Sequence, residues 1–360
     1  MRHHRYVFRL LSLSAALLAA CTDPAASRLI APVERDLVAA APPGYDPYVV
    51  SELALPAGYV GGEAKGINSS DVIVGDVYKA DGYGRAVAWI NGVPKLLPNV
   101  TFGTLQSSSA HDIRDDGRIV GELSYCAGGQ CARTAVTWNS ANAASALAIA
   151  AGLTATQGST ATALGATGLA VGFADRSSGA GHAPYRFSTS PGGATALPLP
   201  SGYVGGEASD VNASDAIVGE VYATTGSRGV VWRRLLGAAF VATLLPQLES
   251  ADGIGDDGSI YGIRAGTDDA VRVAPNGTMQ VMWTVPGRQV GGPSSKGRAI
   301  GCGWLARTWR NGSLTTLYGP YTQGDSECAR GVNTCGTVVG STYGPAGDRI
   351  PVRWRKQLCD

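Results

Sequence analysis

A fixed eight-residue spacing constrains this chain more than any other feature. GYVGGEAKGINSSDVIVGDVY at 58–78 returns as GYVGGEASDVNASDAIVGEVY at 202–222, identical at 15 of 21 positions. Its core is an Ala, an apolar residue three later, and a Gly eight after that. This core occurs at Ala64–Ile67–Gly75, Ala110–Ile113–Gly121, Ala161–Leu164–Gly172, Ala208–Val211–Gly219, Ala251–Ile254–Gly262 and Ala329–Val332–Gly340. A seventh unit, Ala299-Ile300-Gly301, keeps the Gly but lacks the leading Ala-x-x-Ile. Repeats of this length are single supersecondary units that cannot bury their apolar face alone and must stack.

Between the apolar residue and the next apolar run stand NSSD, RDDG, GATG, NASD, GDDG and NTCG. These are turn sequences with Gly, Asn or Asp where φ > 0 is expected. Each unit therefore opens with a tight β-hairpin. The second strands (VIVG, RIVG, LAVG, AIVG, TVVG) are apolar without alternation, which predicts burial on both faces. A third strand ends each unit at Trp89, Trp138, Phe187, Trp232, Val273, Trp309 or Trp354, and a fourth follows most of them, as in PKLLP (94–98) and FVATLLP (240–246). Four strands per unit, stacked face to face, predict an all-β fold: a seven-bladed β-propeller of four-stranded antiparallel blades. The chain ends six residues after Trp354, so the last unit lacks a fourth strand. YVVSELALP at 48–56 is the strand that would complete it and close the ring, removing the open edge.

The run Gly66-Ile67-Asn68-x-x-x-x-Ile73-Val74-Gly75, followed by a small residue, an apolar residue and a Trp, is similar to the bacterial extracellular HAF-repeat family. The resemblance covers about 57–355 and is better for the hairpin than for the His-Ala-Phe tripeptide, of which only His182-Ala183 survives. It implies a secreted or surface β-repeat protein and supplies no catalytic residues.

The first 20 residues stand apart. Arg2, Arg5 and Arg9 precede an apolar run too short to span a bilayer, and Leu18-Ala19-Ala20-Cys21 follows. This resembles the bacterial lipobox, which implies a signal peptide (1–20) cleaved before a lipidated Cys21. Residues 21–46 read as a tether rich in Ala and Pro, and 47–360 as the propeller. The expectation is an exported protein held on a membrane by acyl chains, with Thr22 leaning toward the outer membrane or cell surface.

Six Cys remain beyond Cys21, an even number suited to disulfides in an exported chain. The blade arrangement pairs Cys126 with Cys131 across one hairpin, Cys302 with Cys328 between adjacent blades, and Cys335 with Cys359 near the closure.

A formal net charge of +1, with no basic block, points away from a nucleic-acid partner. His111 and His182 fit no Cys/His metal spacing, and no Gly-x-Ser-x-Gly elbow is present. Asp115-Asp116 and Asp256-Asp257 fall in hairpin turns, where Asp is a turn former. No cofactor is expected, Ca²⁺ in those turns being the alternative. Loops of variable length share one face of the disk, where binding residues concentrate. Candidate ligand contacts there are Tyr78, Tyr83, Arg85, Tyr125, Arg176, His182, Tyr222, Arg228, Tyr343 and Arg349, chosen because Tyr and Arg are enriched at binding hot spots. The sequence thus reads as a non-catalytic binding module for a glycan or protein. The alternative is an envelope hydrolase, glycosidase-like, using channel carboxylates.

Overall fold

Six turns of four residues set the architecture. Their last positions are Asp71, Gly117, Gly168, Asp215, Gly258 and Gly336, and all six have φ between 58° and 87°. This left-handed conformation is the one that Gly, and Asp among the others, tolerates. It returns each first strand tightly onto the second.

The computed structural model describes residues 36–37 and 48–356, apart from 100–103, 128–129, 144–146, 152, 154–157, 177–180, 190–191, 236–238, 285–288, 292–296, 304 and 322–326. The expected signal peptide, Cys21 and Cys359 lie outside the described residues. Of the expected tether, Asp36 and Leu37 are described; they pair with Ser51 and Val50.

The fold is all-β, in six antiparallel sheets. Five have four strands each, in chain order across the sheet. The first runs Gly61–Ile67, Ile73–Tyr78, Gly84–Ile90, Val93–Leu96. The other four occupy 104–148, 159–196, 205–245 and 248–284. The expected seven separate sheets are not found, because the sixth and seventh units share one nine-stranded sheet. The join is a short ladder in which Cys302 faces Cys328 and Gly303 faces Glu327, and the two cysteines form a disulfide. Within that sheet the sixth unit has its own four strands. Gln289–Gly291 is its first strand, and Val290 faces Gly301 as Ala faces Gly elsewhere. Tyr48–Glu52 pairs antiparallel with Arg349–Lys356 and stands as the fourth strand of the seventh unit.

The core is a series of clusters between neighbouring sheets. One of them joins Val74, Ala86 and Ala88 of the first sheet to Ala110, Ile113, Ile119 and Trp138 of the second. Second strands are buried on both faces, as Ile73-Val74-Gly75 and Ile217-Val218-Gly219 are. Burying a Val or Ile side chain fully contributes about 1.5–3 kcal/mol, so these runs dominate the packing. The third-strand Trp residues also tie sheet to sheet. The indole N–H donates to Ala54 O from Trp89 (2.7 Å), to Pro98 O from Trp138 (2.6 Å), to Pro198 O from Trp232 (2.7 Å) and to Tyr318 O from Trp354 (2.8 Å). The first strand Gly61–Ile67 packs against the strands of the seventh unit.

Candidate functional site at the first-strand bulges

Ala and Gly of each unit are paired residues: Ala64 faces Gly75, and Ala208 faces Gly219. One position later the register shifts in all six full units, between Ala64 and Gly66, Ala110 and Asp112, Ala161 and Ala163, Ala208 and Asp210, Ala251 and Gly253, and Ala329 and Gly331. The shift is a β-bulge, which inserts one extra residue and re-aims its side chain. The bulge residues are Lys65, His111, Thr162, Ser209, Asp252 and Arg330. The bulge also explains the invariant Gly. A Cβ at Gly75, Gly121, Gly172, Gly219, Gly262 or Gly340 would collide with the carbonyl oxygen two residues before the bulge.

All six bulge residues line one cavity of about 490 Å³. Residues of the hairpin turns, Arg114, Asp115, Ala213 and Asp256 among them, line it as well. Most of the bulge side chains reach forward to the next unit. Lys65 Nζ donates to Ser109 Oγ (2.8 Å) and pairs with Asp76. His111 Nδ1 donates to Ala161 O (3.1 Å), and Thr162 Oγ1 to Ala208 O (2.8 Å). Arg330 Nε donates to Glu63 Oε1 (2.9 Å), which carries the series from the seventh unit to the first.

The cavity's carboxylates are held by backbone. Asp112 accepts from Ile113 N (2.8 Å) and from Leu164 N (2.9 Å) in the next unit; Asp210 accepts from Val211 N (2.8 Å) and Ile254 N (2.9 Å) in the same way. Burial pushes Asp112 up, and pushes Asp210 and Asp252 up to about 7. Burial and the nearby Lys65 lower His111 to about 4, so its ring is neutral. Burial would raise Glu63, but Arg330, Lys65 and Arg349 around it hold its carboxyl below the ordinary value. The turn pairs are likewise engaged. Asp115 accepts from Ser69 N (2.8 Å) and Asp116 from Arg118 N (3.0 Å); Asp256 accepts from Ala213 N (2.9 Å) and Asp257 from Ser259 N (2.9 Å). Among the described residues no group of three His, Cys, Asp or Glu side chains could hold a metal ion.

None of the ten loop residues expected to contact ligand lines this cavity. Several hold neighbouring units together instead. The Tyr78 hydroxyl accepts from Arg349 N (2.8 Å), and that of Tyr222 accepts from His182 N (2.8 Å) and donates to its carbonyl (3.1 Å). Arg349 also reaches Glu63 (3.2 Å) and the Tyr343 hydroxyl (3.3 Å). His182 sits between Glu207 and Asp175 and stacks on Phe173, centroids 4.3 Å apart. Arg85 and Arg228 donate to Leu97 O (3.2 Å) and Ser227 O (2.6 Å). Tyr125 and Arg176 are half-buried, and Tyr83 is 51% exposed. Of the disulfides, Cys302–Cys328 is formed. Cys126, which faces Cys131 in the ladder, and Cys335 are also disulfide-bonded. The set of bulge residues escaped the sequence reading, although a signal existed. Inside a constant frame, the position after the Ala reads Lys, His, Thr, Ser, Asp and Arg.

No known sequence family matches the chain, and no curated protein matches it by sequence. Solved structures are similar in fold. A catalytically inactive variant of virginiamycin B lyase from Staphylococcus aureus, with quinupristin, superposes at a TM-score of 0.50 and 13% identity, over 85% of this chain and 99% of that one. A puromycin-hydrolyzing peptidase of Mycobacterium tuberculosis gives 0.54 and 11%, over 83% of this chain and 51% of that one. The fold is therefore of the β-propeller type. Identities this low speak to fold alone.

Proposed function

We propose that this chain is an exported, lipid-anchored, seven-bladed β-propeller that binds a small ligand at its axis and does no chemistry on it. The bulge ring carries the reading. One repeated frame offers six chemically different side chains to a single cavity of about 490 Å³, within the size range of small-molecule sites. Strand 48–52 beside the last third strand, and the packing of Gly61–Ile67 against the same sheet, support a ring closed through both ends of the chain. The Arg-rich and then apolar stretch before Cys21 supports the lipid anchor and an outer-membrane or surface location. A non-catalytic role is supported by the five cavity aspartates, all of which accept backbone N–H groups.

The test is a glycan and peptide binding screen of the wild-type protein and Ser209→Leu. This substitution fills the cavity without removing a side-chain hydrogen bond among the described residues. Hits lost in the variant support axial binding. Hits retained by both proteins overturn it and move recognition to the long-loop face. Turnover in a parallel hydrolase panel, abolished by a single carboxylate substitution, overturns the non-catalytic role.

A further inference from the structure

The polar groups around the cavity divide into those already engaged by the protein and those still available. The acids are engaged. Asp112 and Asp210 each accept two backbone N–H groups, and Asp115, Asp252 and Asp256 each accept one from a neighbouring unit. These backbone bonds fix the orientation of each carboxylate, and among the described residues no three His, Cys, Asp or Glu side chains come together as a cation site.

Available groups lie on the first four units. Lys65 has three N–H donors; Ser109 and Asp76 take two of them. Arg114 lines the cavity with five donors; among the described residues its side chain makes an ion pair with Asp116 at 3.5 Å and acts at longer range on Asp112. Ser209 has a hydroxyl with no protein partner among the described residues. A carbonyl can only accept, so His111 Nδ1 must carry the proton shared with Ala161 O. In the neutral ring, Nε2 then holds a lone pair that no group among the described residues uses. Two cationic donors, one free hydroxyl and one free acceptor remain.

We infer that the axial cavity takes a small polyhydroxylated anion, of the sugar-acid or sugar-phosphate class. Lys65 and Arg114 meet the anionic group, His111 Nε2 accepts from a ligand hydroxyl, and Ser209 supplies a second hydroxyl contact. The class rests on the axial binding proposed above. Burial pushes Asp210 and Asp252 up to about 7, which reduces the charge they set against an anion near neutral pH, and it pushes Asp112 in the same direction. Asp115 is in an exposed turn, where solvent screens it.

Calorimetric titration with gluconate, glucose 6-phosphate, glucose and inorganic phosphate tests the class. Gluconate or glucose 6-phosphate should bind at least about tenfold more tightly than glucose, and which of the two binds better separates a carboxylate from a phosphate source. Arg114→Gln, which removes a long ion pair (3.5 Å) to Asp116 from a half-buried side chain, should weaken the anionic probe by about tenfold or more while shifting the thermal midpoint little. Equal binding of glucose overturns the anionic part, and equal binding of phosphate alone overturns the polyol part. No binding of any probe overturns the class, while the axial reading is still judged by its own screen. Anion binding that Ser209→Leu does not weaken overturns both.

Discussion

Gly219 has the carbonyl oxygen of Glu207 where a methyl group would stand. The obstacle is backbone on the facing strand, so no rotamer change relieves it. Gly219→Ala should therefore destabilise the protein by about 1–3 kcal/mol in urea denaturation. Gly193 has open space at its Cβ position and no positive φ, so Gly193→Ala should change the midpoint little. A shared result for the two would show that the contact is not what fixes the Gly. The repetition of this Gly was plain in the sequence, and so were the positive-φ turn residues. Its cause was not, because the opposing carbonyl comes forward only once the bulge has formed. Much the same holds for Asn68, Asn212 and Asn333. Their side-chain oxygens accept from their own turns, as Asn68 does from Val72 N (2.9 Å), which local sequence suggests. Their amide N–H groups reach Arg114 O, Gly255 O and Asn68 O in the following unit, which no local pattern shows.

At the scale of strands, fixed spacing made the hairpins legible, and the third-strand Trp residues marked where each sheet deepens. Three strands were missed, among them Asp36–Leu37 in the expected tether. Gln289–Gly291 has Val where other units have Ala, and Leu147–Ala148 is too short to leave a periodic signal. The join between the sixth and seventh units was also unexpected as a sheet, although its cysteines were expected to pair. Cys302 and Cys328 face each other in a two-pair ladder, so the disulfide does much of the work of holding it. Cys302→Ser should lower unfolding free energy by about 3 kcal/mol. The double variant with Cys328→Ser should cost no more than the single one, because both remove the same bond. Additive losses in denaturant titrations would mean that the cysteines act separately.

The whole molecule depends on strands far apart in the chain. Val50 is 1% exposed and clusters with Val352 and Trp354, about 300 residues away. A chain beginning at residue 53 should lose that packing and leave Arg349–Lys356 as an open edge, which invites pairing with another copy. The expected outcome is a lower unfolding midpoint and higher-order species in size-exclusion chromatography. An unchanged, monodisperse protein would remove ring closure from the reading. The sequence by itself determined the repeat, the hairpin turns, the doubly buried strands and the strand that completes the last unit. These follow from periods and turn chemistry carried within about 40–50 residues. Only the tertiary structure decided where the chemistry gathers. Each bulge forms against its own second strand, but it lines a cavity only when the first strands stand side by side. The joining of two units into one sheet has the same origin, since both depend on contacts between units that no single unit encodes.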